Sequence, residues 1–120
     1  MERVKCNLVL AAKPIIYIFF GKAGAGKTYI GKLYAKEFNA LYYEGDLAIP
    51  PSMNFAISHN EPITRDIIDE FLLRSLKQKI DDLVVSLKDG QLLIVSQAFY
   101  LRQFREIYRR IYRDKIQFVL

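Results

Sequence analysis

The chain has 120 residues, 52% of them hydrophobic and 26% charged. That balance supplies one small domain with a core and excludes a disordered chain. Eighteen Lys and Arg against thirteen Asp and Glu leave a formal net charge of +5. No apolar run approaches the ~20 residues that a membrane-spanning helix needs. A lone cysteine, Cys6, supports neither a disulfide framework nor a thiolate metal site, so a reducing compartment fits.

Residues 1–14 read as an N-terminal extension ahead of a domain over 15–120. Arg3 and Lys5 precede an apolar stretch from Leu8 to Ala12, which Lys13 and Pro14 interrupt. The stretch is short for a secretory signal, and the expected location is cytoplasmic. Ile15 to Phe20 is a continuous apolar run of β-branched and aromatic residues, the pattern of a strand covered on both faces.

The next eight residues organise the chain. Gly21, Lys22, Ala23, Gly24, Ala25, Gly26, Lys27 and Thr28 match G-x-x-x-x-G-K-[ST], the phosphate-binding P-loop. The match sits between a strand and a helix, the context the motif requires. Glycines let the backbone wrap phosphate oxygens, and successive N–H groups and a helix N-terminus add positive potential. Lys27 is expected at the β- and γ-phosphates and Thr28 at Mg²⁺, making a nucleoside triphosphate and Mg²⁺ the expected ligands.

Ile30, Leu33, Tyr34 and Phe38 recur at helical spacing from Thr28 to Phe38, and Asn39 is a natural stop. Ala40 to Tyr43 is a second strand, closed by Glu44, Gly45 and Asp46. Leu47 to Pro62 breaks periodicity and reads as loop or short helical turns. Thr64 is placed to cap a long helix whose apolar stripe runs from Ile67 through Phe71, Leu76 and Ile80 to Leu87. Gly90 follows as a stop signal. Leu92 to Val95 is a third strand, Leu101 to Arg113 an amphipathic helix, and Ile116 to Leu120 a fourth strand. Alternating strands and helices with a P-loop after the first strand imply an α/β, three-layer P-loop NTPase fold. The sheet is expected parallel, in strand order 2-3-1-4, flanked by helices. Ligands belong at the carboxyl ends of its strands.

The motif alone does not say what happens to a bound nucleotide. There is no Asn-Lys-x-Asp guanine motif, and Ser96 and Gln97 follow the third strand where many motors carry a carboxylate. Glu44 and Asp46 instead close the second strand. At i and i+2 of a strand they would share a face. Glu44 could then hold Mg²⁺ through water, and Asp46 could accept a proton from, or position, a substrate hydroxyl. His59 and the tyrosines Tyr42 and Tyr43 read as a solvated side chain and as strand and core residues. The segment from Arg102 to Lys115 carries six basic residues against Glu106 and Asp114. It reads as a solvated helix face in preference to a nucleic-acid surface.

The stretch Tyr43-Glu44-Gly45-Asp46, then Pro50, then Glu61-Pro62-Ile63-Thr64 resembles the gluconokinase pattern D-G-D-x-x-H-P…G-E-P-L-T. The segment from Ile94 through Ala98 to Phe104 and Arg105 is similar to that family's third strand and following basic helix. Shikimate kinases share the arrangement more distantly. The resemblance implies an ATP-dependent phosphotransferase acting on a hydroxyl of a small polar metabolite, with Lys27 and Asp46 catalytic and Asp46 at the substrate. Several family positions differ: Ile49 stands for a histidine, Ala56 and Ile68 for basic residues, and Phe71, Gln97 and Tyr100 for further contacts. In that family a lid helix with arginines, a fifth strand and a last helix follow, whereas this chain ends at Leu120. The resemblance therefore implies a fold truncated after its fourth strand. The alternative function is a nucleotide-binding module without turnover. A chain ending in a strand leaves a sheet edge open, which favours self-association.

Overall fold

The computed structural model describes residues 14–21, 26–99 and 101–120. The extension expected over 1–14 lies, except for Pro14, outside the described residues. Four strands form one parallel sheet: β1 (Ile16–Phe19), β2 (Leu41–Glu44), β3 (Leu93–Ser96) and β4 (Ile116–Val119). Their order is β2-β3-β1-β4, as the sequence implies. In register, Phe19 pairs with both Ser96 and Val119, and Glu44 pairs with Ser96. All four strands thus end at one level, which lines their carboxyl ends along a single edge. The central strand β3 is buried at every position, whereas edge strand β4 alternates buried Ile116 and Phe118 with exposed or half-buried residues.

The helices are α1 (Lys27–Phe38), α2 (Pro51–Ser58), α3 (residues 65–86) and α4 (Arg102–Tyr112). Most of the apolar core lies on one face of the sheet. There Ile16, Ile18, Leu93, Val95, Ile116 and Phe118 meet side chains of α2, α3 and α4. The other face carries a smaller cluster, in which Phe19 and Ile94 pack on Ala35 of α1. Part of α1's own apolar side stays open, with Tyr29 70% and Phe38 62% exposed.

Helix α2 begins at Pro51, whose fixed φ suits the first helical position and whose missing N–H costs nothing there. Thr64 caps α3 as expected, its Oγ1 accepting from the Ile67 N–H at 3.3 Å.

The long helix differs from expectation in one respect. Its middle, Glu70–Ser75, is a π-helical turn between α-helical segments Arg65–Asp69 and Leu76–Ser86. The apolar residues Ile68, Leu72, Leu76, Ile80 and Val84 are spaced four apart. In a pure α-helix that series drifts by about 40° per step, and a wider turn takes up part of the drift. The Leu76 N–H reaches back to the Phe71 carbonyl rather than to Leu72. The Leu72 carbonyl instead accepts from the Tyr108 hydroxyl of α4. Four residues on, the Tyr112 hydroxyl donates to Asp81 at 2.6 Å. Burial pushes both tyrosines well above the ordinary phenol range, and the Asp81 carboxylate adds to each shift.

Candidate functional site

The site is assembled at the carboxyl edge of the sheet. Gly26 precedes α1 with φ of 82°, a left-handed conformation that only glycine adopts without strain, and its carbonyl accepts the first helical bond from Ile30 at 2.9 Å. Lys27 and Thr28 therefore open the helix, where unpaired N–H groups and the dipole favour an anion. Gly21, Gly26, Lys27 and Thr28 are described; Lys22, Ala23, Gly24 and Ala25 of the motif lie outside the described residues. Lys27 borders a cavity of about 380 Å³ with Gly21, Phe20, Ile30, Tyr34 and Leu120.

Thr28 and Glu44, 16 residues apart, meet. The Thr28 hydroxyl donates to Glu44 Oε1 at 3.0 Å, and the Tyr42 hydroxyl donates to the same oxygen at 2.8 Å. Tyr42 and Glu44 stand at i and i+2 of β2 and so share the face turned to α1. Burial raises the Tyr42 phenol above its usual range, and the neighbouring Glu44 adds to the shift. Ser96, at the end of β3, ties the helix start to the sheet through a bond from its Oγ to the Lys27 carbonyl at 3.1 Å. Tyr42 does not stand out in the sequence as a site residue, and Ser96 does so only as part of the stretch after the third strand. The strand alternation at Tyr42 was the available signal.

Asp46 is placed differently from the sequence expectation. The strand stops at Glu44, and Gly45–Ala48 forms a 3₁₀ turn. The i, i+2 rule therefore does not carry from Glu44 to Asp46. The turn is possible because residue 45 has no side chain: a Cβ there would lie 2.9 Å from the Ser96 carbonyl and clash with the Gln97 amide. Asp46 borders a second cavity of about 390 Å³ with Gln97, Met53, Phe71 and Phe104. Lys27 and Asp46 thus line separate cavities. His59 stays on the surface, stacked on Phe55 with ring centroids 3.9 Å apart. Arg105 turns inward, its guanidinium donating to the Phe99 carbonyl and lying 4.7 Å from the Phe20 ring centre. Arg109 lies over Phe118 and meets Glu106 at 3.3 Å.

Among the described residues no group of three or more His, Cys, Asp or Glu could hold a metal. A hydroxyl and a single carboxylate in contact, both hard oxygen donors, are nevertheless the protein share expected of Mg²⁺, which keeps waters and phosphate oxygens as its other ligands. Thr28 and Glu44 fit that donor set.

The fold is matched in solved structures. The chain is similar over 88% of its length to a gluconokinase from Sinorhizobium meliloti 1021, with a TM-score of 0.69 and 24% identity, covering 55% of that chain. It is equally similar to an unliganded sugar kinase from Janibacter sp. HTCC2649, with a TM-score of 0.69 and 23% identity, covering 58% of it. The chain shares the fold of these two solved structures. The chain spans a little over half the length of these kinases. No family model and no curated protein matches the chain. No helix among the described residues is long and apolar enough to cross a membrane.

Proposed function

We propose that the protein is an ATP-dependent phosphotransferase that phosphorylates a hydroxyl of a small molecule. The observation that carries this reading is the contact between Thr28 at the start of α1 and Glu44 at the end of β2, 3.0 Å apart, beside a cavity bordered by Asp46. Phosphoryl transfer asks a protein chiefly to position its reactants and to neutralise charge. Lys27, at the helix N-terminus, supplies a cation for the phosphate chain. Gly21 to Thr28 form the nucleotide site, Lys22 to Ala25 entering on the strength of the motif. Thr28 and Glu44 would hold Mg²⁺, which when bound neutralises charge on the phosphate oxygens. Glu44 is fixed for that task by two hydroxyl donors on one oxygen. Asp46 accepts the proton of the acceptor hydroxyl, holding it in line with the phosphate side. The gluconokinase and sugar kinase to which the chain is similar support the reaction class.

A second reading, nucleotide binding without turnover, is favoured by one observation: Lys27 and Asp46 line separate cavities. Calorimetry with ATP and Mg²⁺, run beside an ADP-release assay over a panel of alcohols and sugar acids, separates the two. ADP release that depends on an acceptor and vanishes in Lys27→Ala supports the kinase. Release equal in parent and Lys27→Ala removes it. Saturable ATP binding with no release for any acceptor leaves the second reading.

A further inference from the structure

The cavity beside Asp46 is built for a particular kind of acceptor. It is walled by Ile49, Ile68, Phe71, Leu72, Phe99 and Phe104, and no Lys, Arg or His is among its described lining residues. Its polar lining side chains are Asp46 and Gln97. Gln97 is 94% buried, being 6% exposed, and its Oε1 is enclosed with no hydrogen-bond partner. Buried amide oxygens in native proteins are nearly always paired. Gln97 lines the cavity while its Oε1 packs against Gly45, so a rotation of the amide into the cavity would offer an unpaired acceptor to a donor that arrives with the ligand. Asp46 is an acceptor too when ionised. Both polar groups thus ask for O–H donors, and no cationic side chain is among the described lining residues to receive a carboxylate. Burying an unpaired carboxylate among these apolar side chains would cost far more than burying a hydrocarbon.

We infer that the acceptor is an uncharged alcohol with a largely apolar body, its hydroxyls donating to Asp46 and Gln97, and not a sugar acid. The inference rests on the kinase reading for its site and departs from the polar acceptor that the family resemblance implies. The volume of about 390 Å³ is that of an ordinary small-molecule site. Asp46, at the exposed end of the cavity, meets the hydroxyl that reacts. Gln97 meets a second donor deeper in, with a small shift of its amide away from Gly45.

The test is direct binding to the full chain without nucleotide, by calorimetry and saturation-transfer NMR. Three probes are used: 3-phenylpropane-1,2-diol, its carboxylate counterpart 3-phenyllactate, and gluconate. The diol is expected to bind at least about tenfold more tightly than 3-phenyllactate, whose carboxylate finds no partner, and gluconate more weakly still. Gln97→Leu should weaken the diol by roughly three- to tenfold, the loss of one net hydrogen bond. Ile68→Lys should raise 3-phenyllactate affinity towards that of the diol, because lysine can lay its stem on the wall and bring a cation to the carboxylate. Circular dichroism checks that each variant folds. Gluconate or 3-phenyllactate binding as well as the diol overturns the inference. So does an absence of saturable binding by any probe, or a diol affinity that Gln97→Leu does not move. A parallel ATP titration keeps the two claims apart. If ATP binds and gluconate is preferred, the inference alone falls. If the diol binds as described and ATP does not, the kinase reading alone falls.

Discussion

Thr28, Tyr42 and Glu44 form a compact polar network, whereas Asp46 and Gln97 stand in a cavity walled by isoleucine, leucine and phenylalanine. The two regions adjoin at the carboxyl edge of the same sheet. The first draws on one motif and one strand end, and its carboxylate oxygen already receives two donors. The second draws on the 3₁₀ turn after β2, on α2, α3 and α4 and on the segment after β3, and its buried amide oxygen receives none. A phosphate grip needs backbone N–H groups and a few hard oxygens, which a short segment can supply. Acceptor selection needs a shaped wall, which only distant elements packed together can supply.

Substitutions should separate the two regions. Asp46→Asn is expected to lower turnover by about 10²–10⁴-fold, the usual span for a lost general base, with ATP affinity unchanged; steady-state kinetics beside ATP calorimetry reads this. Lys27→Ala is expected to cost about 10²–10³-fold in turnover by removing charge from the phosphate side, while diol binding stays as in the parent. A parallel fall in diol binding would mean that the two regions are one. Glu44→Gln should raise the Mg²⁺ concentration for half-maximal activity by roughly 10–100-fold without altering the preference among acceptors, measured by metal titration.

The smallest effect concerns the scaffold of the acceptor wall. Tyr108→Phe leaves the Leu72 carbonyl of the π turn without its donor and should destabilise the fold by about 1–3 kcal/mol in denaturant unfolding. It should also change the response to alkali. Tyr108 and Tyr112 have folded-state pKa values raised above the unfolded one, chiefly by burial. Above about pH 10 the unfolded chain releases tyrosine protons that the folded chain retains, so stability falls as pH rises. Below that pH their contribution is complete. The variant should show a shallower decline than the parent between pH 10 and higher values, read as unfolding free energy against pH. An unchanged slope would show that Tyr108 titrates as an ordinary surface phenol.

The sequence by itself determined the elements and their order. Apolar runs at Ile15 to Phe20 and Leu92 to Val95, helical periodicity after Thr28, and the glycine motif between strand and helix are local patterns. Local patterns specify local structure, and a parallel alternation of strands and helices leaves few topologies. The pairing of Thr28 with Glu44 was legible for the same reason, since both stand at the ends of adjoining elements. The tertiary structure alone decided three things. Asp46 left the strand's alternation because Gly45 packs against the Ser96 carbonyl and turns the chain. The long helix took a π turn because its apolar residues, spaced four apart, had to stay on one core. Gln97, one polar residue after a buried strand, became the unpaired acceptor of a cavity walled from several elements. Each depends on what lies across a packed interface, and that information is spread over residues far apart in the chain.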